Sequence, residues 1–136
     1  SMQVSVDEQC RFEHPSFSSS GRWFGSCDDG VASGRGYGLI MNKRGDTVEF
    51  IGETEKGLAS GSGGMIVQRR GQVGATYYEG GFKNGLPDGV VRIEEPGQLP
   101  KTRLYKAGTD IGKGDSARLQ SLNFALNSIA AGTMTP

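Results

Sequence analysis

An aromatic residue followed by a small residue two, seven, eleven and thirteen positions later recurs along this chain. That recurrence restricts the fold more than any other feature. Trp23 is followed by Gly25, Gly30, Gly34 and Gly36, and Phe50 by Gly52, Gly57, Gly61 and Gly63. Tyr78 is followed by Gly80, Gly85 and Gly89, with Val91 in the last place. Tyr105, with Ala107 and Gly112 after it, reads as a decayed fourth copy. The starts lie 27, 28 and 27 residues apart, and Gly45, Gly71 and Gly97 run between copies at a spacing of 26. Self-similarity at a fixed period of this length marks a chain built from repeated supersecondary units.

Each unit reads as a β-hairpin. "RWFGSCDDG" is a strand ending in an Asp-Gly turn signal and "GRGYGLIM" the returning strand. The later copies give "VEFIGETEKG" with "GSGGMIVQ", and "TYYEGGFKNG", closed by Asn-Gly, with "GVVRIEE". Helix is excluded here because glycine recurs too often and no 3.6-residue apolar stripe is present. "NKRGD", "QRRGQVGA" and "EPGQLPK" connect one hairpin to the next. The glycines within strands predict rings lying flat over side-chain-free backbone in the neighbouring strands. Seven or eight strands at about 4.8 Å would make a curved single-layer ribbon about 35 Å long.

The bulk numbers agree with one domain of this kind. The 136 residues include 23 glycines, about 17% against a usual level of roughly 7%, without the every-third-residue pattern of collagen. Fifteen basic and fifteen acidic residues balance, which argues against nucleic acid as a partner. No apolar run approaches the roughly 20 residues of a membrane-spanning helix. Cys10 and Cys27, with His14 as the single histidine, are too few for a protein-built zinc site. Spacing alone leaves them open between a bridge and two buried thiols.

"YEGGFKNGLPDG", "FIGETEKGLASGSG" and "WFGSCDDGVASGRG" resemble the unit of MORN-repeat proteins, an aromatic-x-Gly opening followed by spaced glycines. The resemblance covers residues 22–112, about three and a half units, leaving 1–21 as an N-terminal segment with a capping strand and 113–136 as a C-terminal helix and tail. It implies an all-β, curved antiparallel sheet of stacked hairpins. The period is longer than the family's, and Asp88 stands where the family commonly has histidine. "CRFEHPSFSSSGRWFGSCDDG" looks like the opening of bacterial exported members. That likeness implies a Cys10–Cys27 disulfide and a periplasmic or extracellular protein. The leading Ser1-Met2 reads as an appended dipeptide, leaving room for a targeting segment removed before residue 3.

Residues 115–132 are the one convincing helix, with Asp115 as N-cap, Gly132 as stop, and Leu119, Leu122, Leu126 and Ile129 on one face beside Ala125. It is expected to cap its own sheet; offered outward, it could serve a partner's groove or a homodimer, as could a sheet edge.

The chemistry expected is binding, without catalysis, metal or cofactor. His14 stands alone in a Pro- and Ser-rich segment and is expected on a surface loop. Asp28, Asp29, Glu53, Glu55 and Asp88 sit at or near turns, where carboxylates have local reasons to be. "GRGYG" and "GSGG" lack the Gly-Lys-Ser/Thr ending of a phosphate loop. Trp23, Tyr37, Phe50, Tyr78, Phe82 and Tyr105 are expected to supply both packing and a groove for a protein or peptide partner. The alternative is a basic edge of Lys43, Arg44, Arg69 and Arg70, extended by Lys101 and Arg103, that attracts anionic lipid. By resemblance, an envelope scaffold or the immunity partner of a secreted toxin is the expected setting.

Overall fold

The computed structural model describes residues 10–112; the expected helix at 115–132 and residues 1–9 lie outside them. Among the described residues nine strands form a single open sheet in chain order: β1 (Arg11–Phe12), β2 (Gly21–Asp28), β3 (Val31–Met41), β4 (Thr47–Glu55), β5 (Leu58–Gln68), β6 (Thr76–Lys83), β7 (Leu86–Glu94), β8 (Lys101–Lys106) and β9 (Thr109–Asp110). Every neighbouring pair is antiparallel, and β1 also touches β3 in parallel through Arg11 and Val31. The expected seven or eight strands are thus nine, because a two-residue bridge is added at each end.

Four hairpins are closed by two-residue turns. Asp29, Lys56, Asn84 and Ala107 all have φ between 51° and 55°, and each is followed by a glycine with φ of 80° to 86°. Two successive positive φ values are the type I′ signature, whose twist matches that of the flanking strands. Successive tips are joined by one recurring bond: Gly57 N donates to Ala32 O, Gly85 N to Ala59 O and Gly108 N to Pro87 O, each at 2.9 Å.

Trp23, Phe50 and Tyr78 occupy equivalent places on β2, β4 and β6, opposite Gly38, Met65 and Ile93. Two residues later the register shifts by two, at Gly25, Gly52 and Gly80. A Cβ on any of these three would sit 2.4 Å from a carbonyl oxygen of the partner strand. The first glycine of the motif therefore sits at a β-bulge in which two backbones nearly touch. The fourth glycine makes room for the ring: a Cβ on Gly36 or Gly63 would lie 2.5 Å from Trp23 or Phe50. In the third unit Val91 fills that place, and Tyr78 instead meets Tyr105 edge-on at 6.5 Å.

The fourth copy starts four residues earlier than its tyrosine suggests. Lys101 pairs with Ile93, as Tyr78 does, while Tyr105 faces Gly89 as Phe82 faces Gly61. Tyr105 is thus the counterpart of Phe82, and the turn glycine is Gly108 rather than Gly112. The physical reason is β7, which ends two residues sooner than β3 or β5 and brings the chain back early.

One face of the sheet is covered by the N-terminal segment. The expected capping strand amounts to β1, and beyond it the chain crosses the hairpin tips. Arg11 N donates to Gly30 O at 3.0 Å and Glu13 N to Gly57 O at 2.8 Å, while Pro15 lies against Gly85. Phe12 inserts between Trp23 and Phe50, at 5.7 and 5.9 Å between ring centroids, above Gly38. With Ala32, Ile40, Val48, Ala59, Met65 and Phe82 these rings form the core. The Cys10–Cys27 disulfide, with Cα atoms 6.1 Å apart, fastens this strap to β2. Closing a loop of 17 residues contributes about 3 kcal/mol in the chain-entropy model.

Gly52→Ala should destabilise the fold by about 2–4 kcal/mol in urea denaturation, because the new methyl group meets Ser62 O. Gly71→Ala, with φ of 85° and open space around it, should cost only about 1 kcal/mol. Similar losses at both positions would rule out the close-approach explanation.

Candidate functional site

Alternation along each strand sends the neighbours of the core aromatics to the opposite face. That face carries Phe24, Tyr37, Glu49, Ile51, Ile66, Tyr77 and Glu79, and it is uncovered among the described residues. Ile51 is 67% exposed and Phe24 39%. A trough of about 710 Å³ runs across β3 to β7 here, lined by these tyrosines, Ile51, Ile66, Ser62 and Val90 over a floor rich in glycine. On one wall Tyr37 Oη donates to Glu49 Oε1 at 2.8 Å, and its ring stacks on Phe24 at 6.2 Å between centroids. Arg22 lies over Phe24, its guanidinium carbon 5.3 Å from the ring centre. On the other wall Tyr77 leans over Gly64, where a Cβ would fall 2.9 Å from its hydroxyl oxygen.

The charges of this face are unequal. Arg35 is held by Glu53 at 3.2 Å, and Arg92 pairs with Glu94. Glu49, Glu79 and Asp88 also line the trough, and among the described residues Arg35 is its single cation. Asp88 accepts a hydrogen bond from Ala107 N at 3.0 Å. Glu79 has no ion-pair partner among the described residues. Partial burial raises the pKa of both Tyr37 and Tyr77, assisted by Glu49 in the first case and by Glu79 and Glu94 in the second. Both phenols are therefore protonated donors at neutral pH.

The residues expected to form a groove divide between the two faces. Trp23 and Phe50 are wholly buried and Phe82 nearly so, packed under the strap. Tyr37 lies on the open face. Tyr78 and Tyr105 border a smaller cavity of about 270 Å³ on the covered face, with His14, Met65, Val67 and Arg69. Burial pushes the Tyr105 hydroxyl up to about 12, with Asp110 adding to the effect. Ile51, Ile66 and Glu79 were not singled out in the sequence. Their signal was there: each adjoins a motif aromatic or its cross-strand partner, and so must face the other way.

The basic loops do align. Residues 42–46 and 69–75 are adjacent, and Arg70 N donates to Asp46 Oδ1 at 2.8 Å. Asp46, only 5% exposed, also accepts from Asn42 Nδ2 at 3.0 Å and pairs with Arg44 at 3.2 Å. The Arg70 amide and Asn42 hold its pKa below the usual carboxylate range. A carboxylate thus sits inside the basic row, offsetting Arg44. Lys101 and Arg103 are likewise engaged, by Glu95 at 3.5 Å and Asp110 at 3.0 Å.

His14 is not on a surface loop. It is 8% exposed, its Nδ1 accepts from Ser16 N at 3.0 Å, and its ring meets Phe17 edge-on. The tight Pro15-Ser16 turn folds it inward, since Phe17 N donates back to His14 O. Burial, and secondarily the Arg69 charge, lower its pKa from 6.5 to about 4. Among the described residues no group of three or more His, Cys, Asp or Glu side chains gathers as a metal site. Family models, curated proteins and solved structures offer no match to this chain.

Between pH 6.5 and about 4 the unfolded chain binds a proton at His14 that the folded chain does not. Stability from this group is therefore complete above pH 6.5 and is lost as pH falls, with a loss of order 1–3 kcal/mol by pH 4. His14→Gln should flatten that part of the stability–pH curve; an unchanged slope in the variant would refute the assignment.

Proposed function

We propose that this chain is a non-catalytic binding module of the MORN-repeat type that holds a protein or peptide segment on its open sheet face. The single observation that carries this reading is the trough over β3–β7, with an exposed isoleucine between two tyrosine walls. A recess of this size, with Ile51 and Ile66 between two tyrosines and carboxylates beside them, has no packing purpose among the described residues. Catalysis would call for converging polar groups around one reacting position, whereas the carboxylates here are spread along a shallow floor.

The disulfide suggests an oxidising, extracytoplasmic compartment. The proposed setting is therefore the periplasm or cell surface of a bacterium, as an envelope scaffold or the immunity partner of a secreted toxin. The amphipathic segment at 115–132 is proposed as a helical cap on the sheet. Anionic lipid is the competing ligand, favoured by the alignment of Lys43 and Arg70 on neighbouring loops and opposed by Asp46 between them.

A photo-crosslinking residue placed at Ile51 should capture a protein in the native envelope, while the same residue at Val73, which is 88% exposed in a loop, should not. Ile51→Asp should reduce capture at least tenfold and change stability by no more than about 0.5 kcal/mol. Pelleting with anionic vesicles that is lost in Lys43→Glu/Arg70→Glu, together with no crosslink from position 51, would replace this reading with the lipid one.

A further inference from the structure

The open face has two properties that together restrict what can lie in it. The first is its backbone. Strands β3 to β7 are hydrogen-bonded on both sides through the trough, so no free amide or carbonyl edge is offered there. An extended peptide laid across it would leave its own backbone groups without partners in the sheet, a cost that an α-helix avoids by bonding internally. The dimensions agree: β3 to β6 is three strand steps, about 14 Å, and a helix with side chains is about 10–12 Å wide. Gly64, beside Ile66, adds no side chain to the floor, so Tyr77 lies low over the backbone there and Ile51 stands as the exposed apolar centre.

The second property is charge. Among the described residues Glu49, Glu79 and Asp88 line the trough against Arg35, and Arg35 is already held by Glu53. Of the cations beside the trough, Arg92, opposite Glu79 on β7, is paired with Glu94, and Arg22 lies over Phe24. The recess is thus apolar at its centre and anionic along its length.

We infer that the partner segment is an amphipathic α-helix with an apolar or small-residue stripe on the glycine floor and Lys or Arg flanking it, opposite Glu49, Glu79 and Asp88. This rests on the open face being the binding site. The helix seats its apolar stripe between Tyr37 and Tyr77, and its cations complete the charge of the trough. Complementary charge of this kind raises the association rate and makes it fall with ionic strength.

The test uses the whole chain with its disulfide intact and three labelled peptides of about 20 residues, long enough to hold a helix. One has an Ala/Leu stripe flanked by lysines, one has glutamates in place of the lysines, and one has lysines with two central prolines. Fluorescence anisotropy should show the lysine helix binding at least tenfold more tightly than either of the others, and more weakly as salt is raised. Glu79→Lys, an exposed change, should cost that peptide about tenfold, and Ile51→Asp at least as much. Equal binding of the glutamate or proline peptide that Ile51→Asp still abolishes would overturn the cationic helix while leaving the site in place. Failure of all three to bind, or binding that Ile51→Asp does not touch, would overturn the inference altogether. The crosslink from position 51 reports separately on the site itself.

Discussion

A ring resting on bare backbone is the interaction from which the other features of this sheet follow. A single-layer ribbon has no second layer to bury its aromatics against, so the space must come from within the layer. Gly36, Gly38 and Gly63 provide it for Trp23, Phe12 and Phe50. Each such contact needs a glycine at a fixed distance from its ring, and so imposes a repeat on the sequence. Where the glycine is replaced, as by Val91, the ring above it rises and seeks another partner in Tyr105.

The strap completes what the repeats begin. Phe12 comes from outside the repeat series, yet it fills the slot between the rings of the first two units. Without it Trp23 and Phe50 would present apolar surface to water, at roughly 25 cal/mol per Å². The disulfide and the buried His14 hold the two ends of this short segment, one covalently and one through burial. Covering one face so thoroughly leaves the opposite face as the place where binding chemistry can be displayed.

The repeat, its hairpins, the two-residue turns and the ring-on-glycine contacts were legible because each depends on residues close in sequence. Three things were not. The fourth unit was misplaced because Tyr105 falls at the expected interval by coincidence, while the true marker was the turn at Ala107-Gly108. His14 was misjudged because burial of a polar side chain is decided by the strap's path over distant tips. The open-face trough was missed because the conspicuous aromatics were credited with both packing and binding. A strand cannot turn one side chain to two faces, and Trp23, Phe50 and Phe82 were spent on the core.

The strap also has a metric consequence. Residues 11, 13 and 15 meet three successive tips, so the strap advances about 6.6 Å from one tip to the next. On a flat sheet those tips would stand two strands, about 9.6 Å, apart. The difference implies that the tip margin is gathered in while the loop margin fans out, a cone-like taper to which the bulges at Gly25, Gly52 and Gly80 contribute bend. Residues 11–15 would then act as a ruler for the pitch of the ribbon.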